Sequence, residues 1–371
     1  MEYTLLGDYI REVNVRNREL KVTKLVGLTI DKAFIPSVAN VIGTDLSNYK
    51  VIGREQFACS LMQVSRDGKM PVAMFEEDEA IMSPAYPMFE VIDKTELLPK
   101  YLMMWFSRSE FDREASYYAV GGVRGSLTWE DFCNMTLPIP SIDRQREIVE
   151  EYETLSRRIS LNEHMIQKLE ATAQTLYCKM FVDGIDKENL PDGWKMGTLS
   201  EIADITMGQS PDGETYNLDG EGMIFYQGRT DFGRKFPTAR VYTTSPTRYA
   251  KEGDVLLSVR APVGDLNVAP HDCCIGRGLA SLKSKTGCQS YLYYQLQVLS
   301  DVFNVSDDEG TIFGSINKDD LFNIEIAIPS IDEIKEFESQ ASKVDYEIQL
   351  KDREINILTE LQSLLLAKMG Q

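Results

Sequence analysis

The chain has 371 residues, of which 43% are hydrophobic and 26% are charged. This length exceeds what one hydrophobic core usually supports, so two or more domains are predicted, and the composition excludes disordered, collagen-like and disulfide-scaffold proteins. The 58 acidic and 39 basic residues give a net charge of −19, which argues against sequence-independent nucleic-acid binding. Six cysteines without a Cys-x-x-Cys pair predict reduced thiols. The sequence shows no membrane span or secretory signal, so we expect a cytoplasmic protein.

Residues 1–138 are predicted to form a compact α+β domain. Short β-rich runs, such as 58–64, are separated by Gly, Pro, Asn and Asp turns. A helix is predicted at 100–107, and the spacing of Thr128 and Asp131 predicts a capping box that opens a second helix.

Residues 139–184 are predicted to form one long helix. Its apolar positions alternate in steps of four and three, which is the heptad pattern of a helix that buries a narrow seam. The seam includes Ile148, Leu155, Ile159, Ile166 and Leu169, and is interrupted by Asn162. We expect Asp143 to accept hydrogen bonds from the first free backbone N–H groups and Gly184 to mark the end.

The same order of elements follows a polar joint. Residues 185–327 are predicted to form a second α+β domain, with strands at 223–226 and 253–259, a helix at 290–299 and a capping box at Asn317 and Asp320. Residues 328–371 are predicted to form a second long helix, capped by Asp332 and ending at Gly370. Its seam includes Val344, Ile348, Ile355 and Leu358, and is interrupted by Lys351.

An internal repeat relates the two halves. The segment 139–143 recurs at 328–332, and at this offset of 189 residues the stretch 125–180 has 17 identities in 56 positions. A tandem duplication leaves two arrangements open for the long helices. Each helix could pack on its own domain. We predict instead that the two pair as an antiparallel coiled coil about a pseudo-twofold axis, forming a rod of roughly 55 Å.

The motifs of several enzyme classes are absent. The chain has neither a Gly-x-x-x-x-Gly-Lys-Ser/Thr loop nor a Gly-x-Gly-x-x-Gly turn, and it has only two histidines. His271 with Cys273 and Cys274 is either part of a metal site or a buried structural group, and the second interpretation is favoured because adjacent cysteines splay apart. No catalytic or metal site is predicted.

Residues 225–260 are basic and aromatic against the acidic trend of the whole chain. Such a mixture is typical of a surface that meets phosphates and base edges. The basic residues of this stretch are Arg229, Arg234, Lys235, Arg240, Arg248, Lys251 and Arg260. The first domain has a weaker counterpart, which is either a nucleic-acid contact or a solvated face, in Arg16, Arg18, Lys21, Lys24 and Lys32.

The second domain has two sequence motifs, at 253–264 and 275–280, and both long helices begin with Ile-Pro-Ser-Ile-Asp. With these motifs the chain resembles the DNA-specificity subunits of type I restriction-modification systems. The resemblance covers nearly the whole chain. It implies two target-recognition domains that read a bipartite, asymmetric DNA target, with the helices setting the spacing. Arg and Gln suit bidentate contacts with guanine and adenine. The residues expected to contact DNA are Gln227, Arg229, Arg234 and Arg260, and in the first domain Arg16, Arg18, Arg66 and Lys69. Arg277, between two glycines, is expected to be structural.

The resemblance also implies a noncatalytic subunit that binds no cofactor itself. Methyltransferase subunits, two in number, would dock on the helical regions and bring S-adenosylmethionine, and motor-nuclease subunits would bring ATP and Mg²⁺. Two other functions stay open at this point. One is an adaptor that displays protein-binding domains without touching DNA, and the other is a nuclease or methyltransferase with unrecognised catalytic residues.

Overall fold

The computed structural model describes residues 3–37, 43–62, 64–119, 125–304 and 315–370. The chain divides into two compact units, unit 1 with residues 1–163 and 353–371 and unit 2 with residues 164–352. Each unit therefore holds one globular region, the start of one long helix and the end of the other. The segment boundaries predicted after residues 138, 184 and 327 stay a prediction. The two compact units do not test them, because each unit combines stretches that are separate in the sequence.

Helices and strands are mixed in both units. The helices are α1 Val64–Asp67, α2 Pro99–Phe106, α3 Ser109–Ala119, α4 Trp129–Asn134, α5 Ile142–Phe181, α6 Leu199–Ile202, α7 Gln289–Asn304, α8 Lys318–Phe322 and α9 Ile331–Lys368. The strands that precede α5 are β1 Tyr3–Leu5, β2 Ile10–Glu12, β3 Val26–Leu28, β4 Phe34–Pro36, β5 Lys50–Gly53, β6 Phe57–Cys59, β7 Val72–Met74, β8 Glu79–Met82, β9 Met88–Val91 and β10 Thr136–Pro138. Those between α5 and α9 are β11 Lys195–Thr198, β12 Ala203–Met207, β13 Tyr216–Asn217, β14 Met223–Tyr226, β15 Tyr242–Thr243, β16 Tyr249–Ala250, β17 Val255–Ser258, β18 Leu266–Val268, β19 Cys273–Ile275, β20 Leu279–Ser284 and β21 Glu325–Ile328.

The two globular regions share one strand order. In unit 1 an antiparallel sheet has the order β2-β9-β6-β7, and in unit 2 the corresponding sheet has the order β12-β20-β17-β18. Each region is closed by a strand pair, β1 with β10 and β11 with β21, whose second strand leads into a long helix. The sequence repeat therefore extends to the topology of the domains. The remaining sheets differ: unit 2 has a five-stranded sheet, β13-β15-β14-β19-β16, whereas unit 1 has the separate pairs β3-β4 and β5-β8.

Each core includes residues from both long helices. In unit 1, Ile148 at the start of α5 belongs to the aromatic core of the first globular region, and Leu365 near the end of α9 packs against this core. In unit 2, Tyr177 and Phe181 near the end of α5 share a core with Phe337 near the start of α9. The start of each helix thus packs on the globular region that precedes it, as one of the two sequence alternatives proposed.

Side chains of the two long helices also contact each other within each unit. In unit 1, Arg158 Nε lies 2.6 Å from Glu354 Oε1, and Gln362 Nε2 donates to Ser156 Oγ at 2.6 Å. In unit 2, the rings of Tyr177 and Phe337 meet edge to face with their centroids 5.4 Å apart. The pairing of the two whole helices as an antiparallel coiled coil stays a prediction.

The predicted helix caps were wrong by two residues. The Oγ of Ser141 accepts from Arg144 N, and the Oγ of Ser330 accepts from Glu333 N, both at 3.4 Å. Asp143 instead pairs with Arg146 on the same helix at 2.7 Å, and Asp332 lies inside the first turn. The side chain of the residue just before the helix accepts from the free N–H groups of the first turn, so the serines take this role.

The other local predictions agree with the structure except at one strand. The helices predicted at 100–107 and 290–299 correspond to α2 and α7, and both predicted capping boxes are present. The strand predicted at 58–64 is shorter, because β6 ends at Cys59 and Val64 begins the helix α1. Gln63 lies outside the described residues.

Cys273 and Cys274 are both buried in β19, and burial raises the pKa of the Cys273 thiol to about 12. In the described part of the chain, no group of three or more His, Cys, Asp or Glu side chains is arranged to hold a metal ion. The same residues include no helix that is both long and apolar enough to cross a membrane.

Candidate nucleic-acid interface

Three strand ends of unit 2 bring exposed polar side chains to one edge. The strands β14 and β19 are parallel, with Tyr226 opposite Ile275, so both strands end at the same edge of the sheet. Gln227 comes directly after the first strand, Arg277 lies in the turn after the second, and both are exposed. Because the carboxyl ends of parallel strands meet at a common edge of the sheet, the residues after these two strands lie near each other.

Arg260 joins the same edge through the strand β17. Ser258, the last residue of β17, pairs with Leu279, the first residue after the turn that carries Arg277. Arg260 comes two residues after Ser258, is exposed, and forms a backbone bridge with Ser315. We call the set Gln227, Arg229, Arg260 and Arg277 the basic edge. Arg277, which the sequence analysis expects to be structural, is exposed, and its role stays a prediction.

The turn that carries Arg277 needs glycine for a close approach. A Cβ on Gly276 would lie 3.0 Å from the Gln227 carbonyl oxygen, and a Cβ on Gly278 would lie 2.8 Å from the same atom. The Gly276 N–H donates to the Tyr226 carbonyl at 2.8 Å. The glycines therefore let this turn lie directly against the backbone of Gln227. This close approach is the physical reason for the two glycines in the motif Ile-Gly-Arg-Gly-Leu.

A buried carboxylate fixes the loop after β14. Asp231 is 3% exposed, and its carboxylate accepts from Gln227 N at 2.7 Å and from Arg240 Nε at 3.0 Å. It also accepts from Gly228 N, three residues earlier, as the acidic member of a capping box does. Asp231 was not among the residues predicted from the sequence, although this Gly-x-x-Asp spacing was a signal for it.

Arg229 connects the loop after β14 to the loop after β17. Its Nε donates to the Asp265 carboxylate, and both side chains are partly exposed. A base edge or a phosphate that approached the Arg229 guanidinium would have to replace this carboxylate. An exposed ion pair of this kind contributes little to stability, so such an exchange costs little.

Lys235 does not belong to the exposed basic surface that the sequence predicted. Its side chain is 3% exposed, and its Nζ lies 2.6 Å from Asp345 Oδ1 and 4.3 Å from the Tyr293 ring centre. Arg234 beside it is exposed. The pair of Lys235 with Asp345 anchors the globular region to α9. Burial raises the pKa of Glu170 on α5, and the charges of Lys235 and Arg234 oppose that rise.

The candidate residues of unit 1 lie in two separate segments, the loop between β2 and β3 and the region of α1. Arg16 donates through Nη1 to the Asn48 carbonyl at 2.6 Å, and Arg18, two residues further on, is exposed. Arg66, in α1, pairs with the adjacent Asp67 at 2.6 Å.

Beside Arg66, Lys69 lies 3.3 Å from an Asp31 carboxylate oxygen. Lys32 is not part of a solvated face, because its side chain is 9% exposed and pairs with Asp112 at 2.8 Å. The first basic run is therefore only partly available to a nucleic acid.

Residues 65–171 and 191–360 match the family model described as the type I restriction modification DNA specificity domain. The chain belongs to this family. It is a type I restriction-modification specificity subunit, which recognises DNA target sequences and is noncatalytic in that role. Its partners are DNA and other subunits of the restriction-modification complex.

Several known proteins resemble the chain over most of its length. The putative type I restriction enzyme MjaX specificity subunit of Methanocaldococcus jannaschii is 27% identical over 340 residues, which is 88% of this chain and 79% of that protein. The S subunit of a type I restriction-modification system from M. genitalium covers 100% of this chain and 96% of its own, with 13% identity and a TM-score of 0.62, and it shows the same fold. The HsdS subunit from Thermoanaerobacter tengcongensis covers 100% and 96%, with 27% identity and a TM-score of 0.39.

Proposed function

We propose that each unit reads one half of a bipartite, asymmetric DNA target. The observation that carries this proposal is that the two globular regions share one strand order but carry different side chains at corresponding loops. The turn 276–278 with its exposed arginine, for example, precedes the strand β20, whereas the loop before the corresponding strand β9 has the sequence Ser-Pro-Ala-Tyr-Pro at 83–87. A common frame with different contact residues suits the recognition of two unlike base sequences.

The residues proposed to contact DNA are those named from the sequence, with Arg277 added. The basic edge offers one amide and three guanidinium groups, which suit adenine and guanine edges in the major groove. The full set is Gln227, Arg229, Arg234, Arg260 and Arg277 in unit 2, and Arg16, Arg18, Arg66 and Lys69 in unit 1. All of them are exposed or half-exposed, as a contact with DNA requires.

The long helices are proposed to pair as an antiparallel coiled coil with pseudo-twofold symmetry, which sets the spacing between the two half-sites. Two kinds of observation support this: the contacts of Arg158 with Glu354 and of Tyr177 with Phe337, and the burial of the seam. The following seam residues are buried or half-buried: Ile148, Leu155, Ile159, Ile166, Leu169, Val344, Ile348, Ile355 and Leu358. Half-sites on one face of B-DNA lie about 34 Å apart, within the reach of helices of 40 and 38 residues.

Catalysis is proposed to come from other chains of a cytoplasmic complex. Two methyltransferase subunits would bind the helical regions and carry S-adenosylmethionine, and motor-nuclease subunits would carry ATP and Mg²⁺. The net charge of −19 supports a division of labour in which partner subunits neutralise phosphates that this chain repels. We therefore expect weak DNA binding by the isolated chain and strong binding by the assembled complex.

The proposal is tested by mapping methylated positions in cells that carry single variants of the chain. Arg229→Ala or Arg260→Ala should relax one base position in one half-site, with a loss of about 1–3 kcal/mol in discrimination. Arg66→Ala should affect the other half-site only. Lys251→Ala removes an exposed basic residue that is paired with Asp272, and as the matched control it should leave the target unchanged.

Three outcomes would count against the proposal or a part of it. A change in both half-sites from a single arginine variant would mean that the units do not read one half-site each. Equal weakening at all sequences would assign that arginine to a phosphate instead of a base. If the chain shows no sequence-dependent DNA binding with or without its methyltransferase partner, the adaptor alternative is favoured.

A further inference from the structure

A groove in unit 1 lies between the start of α5 and the end of α9. Its floor is apolar, with Leu361, Leu364 and Leu365 on α9, and its volume is about 610 Å³. Leu361 and Leu364 are 46% and 58% exposed, and Ile357, one turn earlier on the same helix, is 59% exposed. Large apolar side chains that are exposed in a row along a helix indicate a surface that another molecule covers.

The opposite wall of this groove is acidic. Glu147, Glu150 and Glu151 of α5 line it, and all three are exposed. Glu147 pairs with Arg144 at 2.8 Å. An apolar strip with a carboxylate wall suits an amphipathic helix that carries apolar side chains flanked by Lys or Arg.

The offset of 189 residues identifies the equivalent surface in unit 2, and its chemistry is different. Ile357, Leu361 and Leu364 correspond to Lys168, Thr172 and Thr175. These three residues line a groove of similar volume, about 580 Å³, and all are exposed. The apolar strip of unit 1 is therefore polar and partly basic in unit 2.

The acidic wall changes in the same direction. Glu150 and Glu151 correspond to Ser339 and Gln340, and Thr154 corresponds to Lys343. Ser339, Gln340 and Lys343 are exposed. Glu147 is kept as the exposed Glu336, so the wall loses two carboxylates and gains one lysine. The two surfaces that the duplication made equivalent thus differ in both apolar character and charge.

We propose that the two helical surfaces bind partner subunits unequally. The groove of unit 1 binds a methyltransferase subunit tightly through an amphipathic, basic element, and the equivalent surface of unit 2 binds a second copy weakly. This inference rests on the proposed docking of methyltransferase subunits on the helical regions and adds an order of binding to it. The complex would then assemble through an intermediate with one methyltransferase bound at unit 1.

The experiment titrates the purified methyltransferase subunit into the full-length chain and measures heat release and complex masses. For the native chain we expect two dissociation constants that differ at least about tenfold, on the order of one interface hot spot. The variant Leu361→Thr with Leu364→Thr gives unit 1 the chemistry of unit 2, and should weaken the tight site about tenfold or more. The variant Thr172→Leu with Thr175→Leu makes the reverse exchange and should tighten the weak site.

All four positions are exposed, and each pair introduces side chains that the equivalent helix already carries, so both variants should keep the native circular dichroism spectrum. The variant Glu150→Gln with Glu151→Gln should reduce the salt dependence of the tight site. Two equal sites in the native chain would overturn the inference but leave the proposed function intact. Self-association of the chain alone, lost in the Leu361→Thr with Leu364→Thr variant, would make a second copy the occupant and also overturn it. Failure of every variant to bind the methyltransferase would contradict both proposals.

Discussion

Lys235 and Lys251 belong to the same basic stretch of the sequence, yet their surroundings are opposite. The Lys235 side chain is 3% exposed and pairs with Asp345, whose own side chain is 21% exposed. The Asp345 Oδ1 atom also accepts from Tyr294 Oη at 3.0 Å. Lys251 is 63% exposed and pairs with Asp272 at 2.6 Å. Removing one member of a buried ion pair leaves an uncompensated charge, whereas removing an exposed one leaves a charge that water solvates.

We therefore expect Lys235→Met to lower the free energy of unfolding by about 3 kcal/mol. Methionine keeps most of the aliphatic volume, so the substitution creates little cavity. The lost free energy of unfolding then comes from the unpaired Asp345 carboxylate and from the lost contacts with the tyrosine rings. Lys251→Met is the matched control, and it should leave the unfolding midpoint nearly unchanged. Urea denaturation of the full chain measures both. Equal effects of the two substitutions would show that Lys235 is not held as the structure describes.

The contrast also shows what residue-level sequence reasoning can reach. Counting charges located the basic stretch and with it Gln227, Arg229 and Arg260, which are exposed. It did not identify Lys235 as buried, because the partner Asp345 lies 110 residues away on α9. Asp231 was missed for a related reason, since an acidic residue in an acidic chain is not conspicuous until its hydrogen bonds to the Gln227 N–H and Arg240 are seen.

At the level of elements, periodicity was a better guide than turn chemistry. The heptad pattern predicted both long helices to within a few residues, because a seam repeated over many turns leaves little freedom in the choice of element. The caps were misplaced onto Asp143 and Asp332, since an aspartate and a serine near the same helix start are both good acceptors. The strand expected at 58–64 was too long because strand ends depend on pairing partners that are distant in sequence.

Asn162 is the polar residue in the seam of α5, and it is 1% exposed. Within the described residues, neither its Nδ2 nor its Oδ1 atom has a hydrogen-bond partner. A buried, unpaired amide costs free energy but is a known means of fixing the register of paired helices. We expect Asn162→Leu to raise the free energy of unfolding by about 1–3 kcal/mol.

Thermal and urea unfolding measure this effect in the full chain. Asn162→Asp is the companion variant, and it should act in the opposite direction, because an unpaired carboxylate is more costly to bury than an amide. A destabilised Asn162→Leu variant would show instead that the amide makes interactions, for example with an ordered water molecule, that stabilise the seam.

At the level of the whole molecule, the repeat gave the order of elements but not the packing. A match of 17 positions in 56 identified a duplication, and the shared strand order β2-β9-β6-β7 and β12-β20-β17-β18 agrees with it. The repeat did not reveal that each compact unit combines the start of one long helix with the end of the other. Such an exchange depends on contacts between residues about 200 positions apart, as in the pair Arg158 and Glu354.

If the paired helices set the spacing of the two half-sites, lengthening both should lengthen the spacer of the target. One heptad added to each helix at matched positions preserves the seam and extends each helix by about 10 Å, which is about three base pairs at about 3.4 Å each. We expect methylation mapping to show both half-sites unchanged and the spacer longer by about three base pairs. Adding two residues to each helix instead rotates the seam by about 200° about the helix axis, and this control should lose methylation. A spacer that stays the same after the heptad insertion would contradict the spacing role of the helices.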